Sequence, residues 1–415
     1  MSGANGVAPA RKNRLHGFDA VRGLAAVAVV ALHAAYPYIR FPMPGLVWAV
    51  PVDEPNRLAD GVFWWIEGSV MPLFFTLSGY FLAQSLVRQP PSDVLAGRSR
   101  RLLLPMATVG LAVLAADLHV WAYGLISTGR ATFREYLRMK YSPEIQANLW
   151  GPAHLWYVEY LWLLCLLVCT AAWFGQIVRN RTTVEIPGAA RPILITCGFA
   201  ALFGAAVLVL MRSPEVVLGF QHGWLPAPAK FAHSAIFLMF GILFALSGRT
   251  VELTRNAAPL SLLAAGGIFV VLLPRIHETL DTGRVNQLDP VLGLLLALFA
   301  VTATLGHIGA GLRWLDRPNP MLARLAAVSF WVYLVHHPVL GGLQILARPL
   351  PLPPAVKFVV IFAATMAVCL VSYRRLVEGR VAQRLLDGEW PWRAFRRDEP
   401  TVVQLPEQSP MRRAA

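Results

Sequence analysis

Stretches of about 20 apolar residues recur along this chain, and they restrict its fold more than any other feature. A helix rises about 1.5 Å per residue, so each run is long enough to cross a hydrocarbon core of roughly 30 Å. The runs fall near 18–36, 62–87, 102–125, 153–175, 191–211, 231–247, 257–273, 289–307, 321–346 and 355–377. Hydrophobic residues make up 56% of the 415 and charged residues 14%, too little charge to coat a soluble particle of this size. A soluble bundle would also need amphipathic helices to enclose these ten, and none is left over. The expected fold class is all-α: a polytopic membrane helical bundle with about ten transmembrane helices, solvated by the lipid bilayer.

The net charge of +14 raises the question of a nucleic-acid partner, and its distribution answers it. With the N-terminus in the cytoplasm, the inner segments hold 24 of the 37 Lys and Arg, the outer segments twelve, and Arg22 lies within a helix. That bias follows the positive-inside rule with both termini cytoplasmic, so the basic charge reads as topology and no nucleic-acid partner is expected. Residues 1–17 then form a cytoplasmic N-terminal segment, 18–377 the ten-helix domain, and 378–415 a cytoplasmic, partly disordered tail rich in Arg, Pro and Glu. The first apolar run is too long for a signal peptide and is expected to stay. Segment 126–152 opposes the charge rule through Arg130, Arg134, Arg138 and Lys140. It reads as an amphipathic element on the outer face, suited to anionic headgroups or an anionic substrate. Cys165, Cys169, Cys197 and Cys369 all fall in apolar runs, so no structural disulfide is expected.

Ionisable residues inside such runs are costly and usually face a protein-lined cavity. The first run carries Asp19, Arg22 and His33 in FDAVRGLAAVAVVALHA. Asp19 and Arg22 are three apart and can pair. Eleven residues separate Arg22 from His33, which returns them to nearly one helix face about 16 Å apart along the axis. The second run holds Ser78 and Gly79 in FFTLSGYF at the depth of Arg22, where small residues also serve close packing. Arg98, Arg100 and Arg101 follow in GRSRRLLLP at the inner interface, either as topology charges or as a guanidinium fork for phosphate. The fourth run opens with HLWYVEYL, placing His154 near the outer interface and Glu159 deeper. The ninth contains YLVHHP, with His336 and His337 at a depth similar to His33.

Imidazoles from three helices raise the possibility of a metal, but they lack the i, i+4 pairing of helical zinc motifs and Glu159 is the only evident carboxylate, so no metal is expected. His233 and His307 read as capping or packing residues.

Taken together, FDAVRGLAAVAVVALHA with its Arg-x10-His spacing, FFTLSGYF, RSRRLLLP, HLWYVEYL and YLVHHP resemble the acyltransferase-3 family of membrane acyltransferases. Within it they look most like the periplasmic glucan biosynthesis protein C subgroup, associated with glucan succinylation. The resemblance extends over most of the ten helices. It implies a multi-pass protein of the bacterial inner membrane that moves an acyl group, succinyl or acetyl, from cytoplasmic acyl-CoA to a hydroxyl of an extracytoplasmic glycan.

On that resemblance His33 and Arg22 are the catalytic pair, and acyl-CoA is a co-substrate rather than a permanently bound cofactor. The residues themselves suggest that Arg22, Ser78, Arg100 and Arg101 hold acyl-CoA. His33 then acts as general base or as acyl-accepting nucleophile. Asp19, His154, Glu159, His336 and His337 support it or bind the acceptor. The rival reading is a transporter or flippase, because intramembrane His, Glu and Arg also mark substrate pathways.

Overall fold

The computed structural model describes residues 15–179, 190–221 and 223–389. Among the described residues, ten helices are long and apolar enough to cross a membrane. In chain order they are α1 (His16–Tyr38), α2 (Arg57–Leu86), α3 (Pro91–Ser127), α4 (Ala153–Ile177), α5 (Pro192–Arg212), α6 (Pro228–Ala245), α7 (Gly248–Asp281), α8 (Pro290–Trp314), α9 (Pro320–Ala347) and α10 (Pro354–Val377). No strand occurs among the described residues.

The ten apolar runs therefore each become a helix, but several helices outrun them. α3 begins eleven residues before its apolar run, because Pro91–Pro105 is a polar, arginine-bearing helix that continues through a π-helical turn at Met106–Gly110. Hydropathy registers only the part that meets lipid.

α1 is the axis of the bundle, packing against α2, α8, α9 and α10. Its buried face is rich in small residues, including Gly17, Ala20, Gly23, Ala25 and Ala26. Small side chains let helices approach without a hydrophobic drive, which lipid does not supply. Gly79 of α2 lies against the Leu238 carbonyl of α6, while Gly241 of α6 lies against the Thr76 carbonyl of α2. Peripheral helices turn leucine and valine outward, as at Leu260, Leu263, Val270 and Val271 of α7. In a bilayer those side chains meet acyl tails rather than water.

The end at which α1 starts is called the lower end here, and the opposite end the upper. At the upper end, segment 39–56 folds back over the bundle with Trp48, Ala49 and Val50 buried. Asn148 accepts from the Val47 amide and donates to the Gly45 carbonyl, each at 2.8 Å. Arg130 donates to the Ala49 carbonyl at 2.8 Å, so this member of the basic outer stretch is a fastening for the fold. The rest of that stretch forms two short helices, Phe133–Arg138 and Pro143–Leu149.

At the lower end the structure describes the tail that begins at 378, expected to be partly disordered, as far as 389. Helix Val381–Leu386 packs on α3, and Gly388 sits against Arg100 and Arg101. Residues 1–14 and 390–415, the bulk of the two expected terminal segments, lie outside the described residues. All four cysteines are free thiols within spans.

Candidate active site

Four histidines from three helices meet in the upper half of the bundle. His336 and His337 come from α9, His33 from the last turns of α1, and His154 from the start of α4. His154, expected near the outer interface, is buried among protein groups at the start of α4. Gly151, Pro152, His154 and Leu155 are all buried, so α4 begins inside the bundle.

Proline makes this arrangement possible. Pro338 has no N–H to donate to the carbonyl four residues earlier, which leaves the Leu334 oxygen without its helical partner. His154 Nε2 stands 3.0 Å from that oxygen and donates to it. The Tyr333 hydroxyl in turn donates to the His154 carbonyl at 2.6 Å.

Hydrogen-bond partners fix the proton on the central pair. His336 Nδ1 lies 3.0 Å from the Val332 carbonyl and 2.9 Å from the Tyr333 carbonyl, both of which can only accept. Nδ1 therefore donates, and Nε2 of neutral His336 is an acceptor. His33 Nδ1 is 2.9 Å from that Nε2 and must donate to it. The consequence is that Nε2 of His33 carries the lone pair. Gln344 secures the same turn, donating to the His33 carbonyl at 3.0 Å and accepting from Trp48 Nε1 at 2.6 Å.

His33 and His337 line a cavity of about 280 Å³ that reaches the upper loops. Its walls include Trp48, Trp121, Trp150, Trp156 and Trp224, together with Glu67 and Lys230. Lys230 Nζ lies 4.0 Å over the Trp156 ring. Flat indole faces with N–H edges, and a few charged groups of both signs, suit a hydroxyl-rich ligand with apolar faces.

Sequence reasoning missed Asp117, the most deeply placed carboxylate of this site. It is 5% exposed on α3, with Oδ1 2.9 Å from His337 Nδ1 and Oδ2 3.2 Å from His154 Nδ1. The signal was a lone aspartate in the apolar run LAVLAADLHVW. The expectation that Glu159 is the evident carboxylate is corrected: Glu159 does not line the cavity, whereas Asp117 and Glu67 do. Asp117, His154 and His337 also bring three potential metal-ligating atoms within 4.8 Å of one another. His337 Nδ1 is hydrogen-bonded to Oδ1 of Asp117, while Oδ2 and His154 Nδ1 make no hydrogen bond.

A second cluster lies deeper. Arg22 donates to the Ala326 carbonyl at 3.2 Å and pairs with Asp19 at 3.5 Å. The Ser78 hydroxyl shares a 2.8 Å hydrogen bond with the Tyr157 hydroxyl. Arg98 is the half-buried arginine of the RSRR segment, beside Ser99, which accepts from Trp162 of α4 at 3.0 Å. Arg100 and Arg101 are exposed on α3 at the lower end. The Tyr157 and Tyr333 rings, 6.0 Å apart, stand between this cluster and the histidines. His233 packs beside Phe237 and His307 beside Trp65, both away from the cavity that His33 lines.

Fold and site together define a membrane-embedded imidazole centre reached from the upper face, with a guanidinium cluster toward the lower. Residues 15–374 match the family model described as an acyltransferase domain, Acyl_transf_3. The chain belongs to the acyltransferase-3 family and is a multi-pass membrane acyltransferase. Comparison with curated proteins and with solved structures gives no match.

Proposed function

We propose that this protein is a bacterial inner-membrane O-acyltransferase that takes an acyl group from cytoplasmic acyl-CoA and esterifies a hydroxyl of an extracytoplasmic glycan. The observation that carries the reading is the His33–His336 hydrogen bond, which leaves an imidazole acceptor nitrogen beside an indole-lined cavity. The lower end is taken as cytoplasmic, in keeping with its excess of Lys and Arg.

On this reading Arg22 and Arg98 draw the phosphates of acyl-CoA toward the Ser78–Tyr157 pair, and Arg100 and Arg101 add cationic charge at the surface of the same end. An extended pantetheine arm spans the roughly 16 Å of helix from Arg22 to His33. His33 Nε2 removes the proton of the acceptor hydroxyl as its oxygen attacks the thioester carbon. The C–S bond breaks, and the imidazolium returns the proton to the thiolate of CoA. His336 holds the His33 ring by accepting its Nδ1 proton. The indoles and the Glu67 and Lys230 pair hold the sugar. A periplasmic glucan is the favoured acceptor, and succinyl or acetyl the favoured acyl group, on the resemblance of the sequence motifs.

Inverted membrane vesicles supplied with radiolabelled acetyl-CoA or succinyl-CoA test this reading. Alkali-labile label in envelope glycan that depends on the chain and disappears in His33→Ala supports it. Label incorporation equal with and without the chain overturns it.

A further inference from the structure

Asp117 joins two histidines that the chemistry above does not use directly, and their proton positions follow from their partners. His154 Nε2 donates to the Leu334 carbonyl at 3.0 Å. Its Nδ1 lies 3.2 Å from Asp117 Oδ2, with no hydrogen bond formed between the two buried atoms.

The hydrogen bond of Asp117 is the one from Oδ1 to His337 Nδ1, at 2.9 Å. Nδ1 of His337 donates there, so the acceptor nitrogen of His337 is Nε2. The ring cannot turn away, because it is stacked on Trp121 at 4.3 Å and on His154 at 4.6 Å. His337 lines the cavity and stands edge-to-face with His33, ring centres 5.2 Å apart. Two imidazoles on one cavity wall therefore each have Nε2 as acceptor: His33 through His336, and His337 through Asp117.

We propose that Asp117 is a positioning residue for the acyl transfer, fixing His337 in the tautomer whose Nε2 accepts from a second hydroxyl of the acceptor sugar, next to the one that faces His33. The role in transfer rests on the acyltransferase reading; the placement of the proton does not. His337 orients the sugar through that second hydroxyl, and His33 removes the proton of the reacting one. Asp117 touches neither reactant.

The substitutions separate tautomer control from mere packing. In Asp117→Asn the amide oxygen still accepts from His337 Nδ1, so the contact that holds the His337 proton survives. In Asp117→Ala nothing holds the His337 proton at Nδ1, and the ring is released to the Nε2–H form.

The direct test is nitrogen NMR of the full chain labelled with 15N-histidine, the His337 signals being assigned by their loss in His337→Gln. The expected result is a protonated Nδ1 and bare Nε2 in the wild type and in Asp117→Asn, with the reverse in Asp117→Ala. A protonated Nε2 in the wild type, or no change in Asp117→Ala, overturns the proposal. So does a stoichiometric metal ion found in the purified chain and lost in Asp117→Ala.

Glycan ester formation in cells at matched membrane levels supplies the second readout. Asp117→Ala is expected to lower the rate roughly 30-fold, the scale of losing one well-placed hydrogen bond to substrate. Asp117→Asn restores most of it. Combining Asp117→Ala with His337→Gln lowers it no further than the worse single change, as for two residues acting as one unit. Rates that multiply in the double variant, or equal losses in Asp117→Asn and Asp117→Ala, overturn the positioning role. If His33→Ala leaves every glycan unchanged, the acyltransferase reading fails while the NMR result stands on its own.

Discussion

His33 Nδ1 lies 2.9 Å from His336 Nε2, across the contact between the first and ninth spans. His336 is fully buried and bonded to two backbone carbonyls of its own helix, so its proton position is not free to vary. The pairing passes that constraint to His33 and determines which nitrogen of His33 can act as a base.

His336→Gln keeps a side chain of similar reach but one whose amide can present either oxygen or nitrogen to His33. Glycan esterification is expected to fall by about one to two orders of magnitude, the range for a misaligned general base. The acyl-CoA KM should stay within about twofold. A KM rise with unchanged turnover would place His336 on the donor-binding path instead.

Arg98 is half-buried beside the contact of α3 with α4, whereas Arg100 is exposed. Arg98→Gln should raise the acyl-CoA KM about tenfold or more, the scale of a charge-assisted hydrogen bond. Arg100→Gln should change it less. Steady-state kinetics with acyl-CoA as the varied substrate distinguish the two.

Gly79 and Gly241 each face a backbone carbonyl of the other helix. A Cβ at either position meets backbone rather than a yielding side chain. Gly79→Ala is expected to destabilise the chain by about 1–3 kcal/mol or more. Thermal unfolding in detergent, followed by size-exclusion fluorescence, reads this directly. Gly97, with open space around its Cβ direction, is the control: Gly97→Ala should leave the midpoint unchanged or raise it.

Glu159 lies off the cavity that His33 lines. Glu159→Gln should leave glycan esterification within about twofold, whereas Glu67→Gln, on the cavity wall, should weaken acceptor use. Esterification measured against acceptor concentration separates them. Equal losses would restore Glu159 to the acceptor site.

The ten spans were legible because each is a continuous apolar run of bilayer length, and so were His33, His336 and His337, whose depth follows from helical rise alone. His154 was assigned the right element, but its enclosure by protein on all sides was not legible. Nothing in a hydropathy profile shows that α4 starts inside the bundle, since buried loop and buried helix are equally apolar. Asp117 was one letter among apolar ones, and its meaning comes from two histidines more than 30 and 200 positions away. The preference for Arg98 over its neighbours depends on which face of α3 meets α4, a packing fact rather than a local one. Pro338 was visible in YLVHHP, and the carbonyl it leaves open four residues earlier marked where a partner had to come from.

The central claim is that His33 performs acyl transfer to a glycan. Mass spectrometry of periplasmic and envelope glycans tests it most directly, with cells carrying the wild-type chain, His33→Ala or no chain at equal membrane levels. The account predicts an ester mass increment with the wild type alone, its size identifying the acyl group. The same increment in His33→Ala as in the wild type would contradict it.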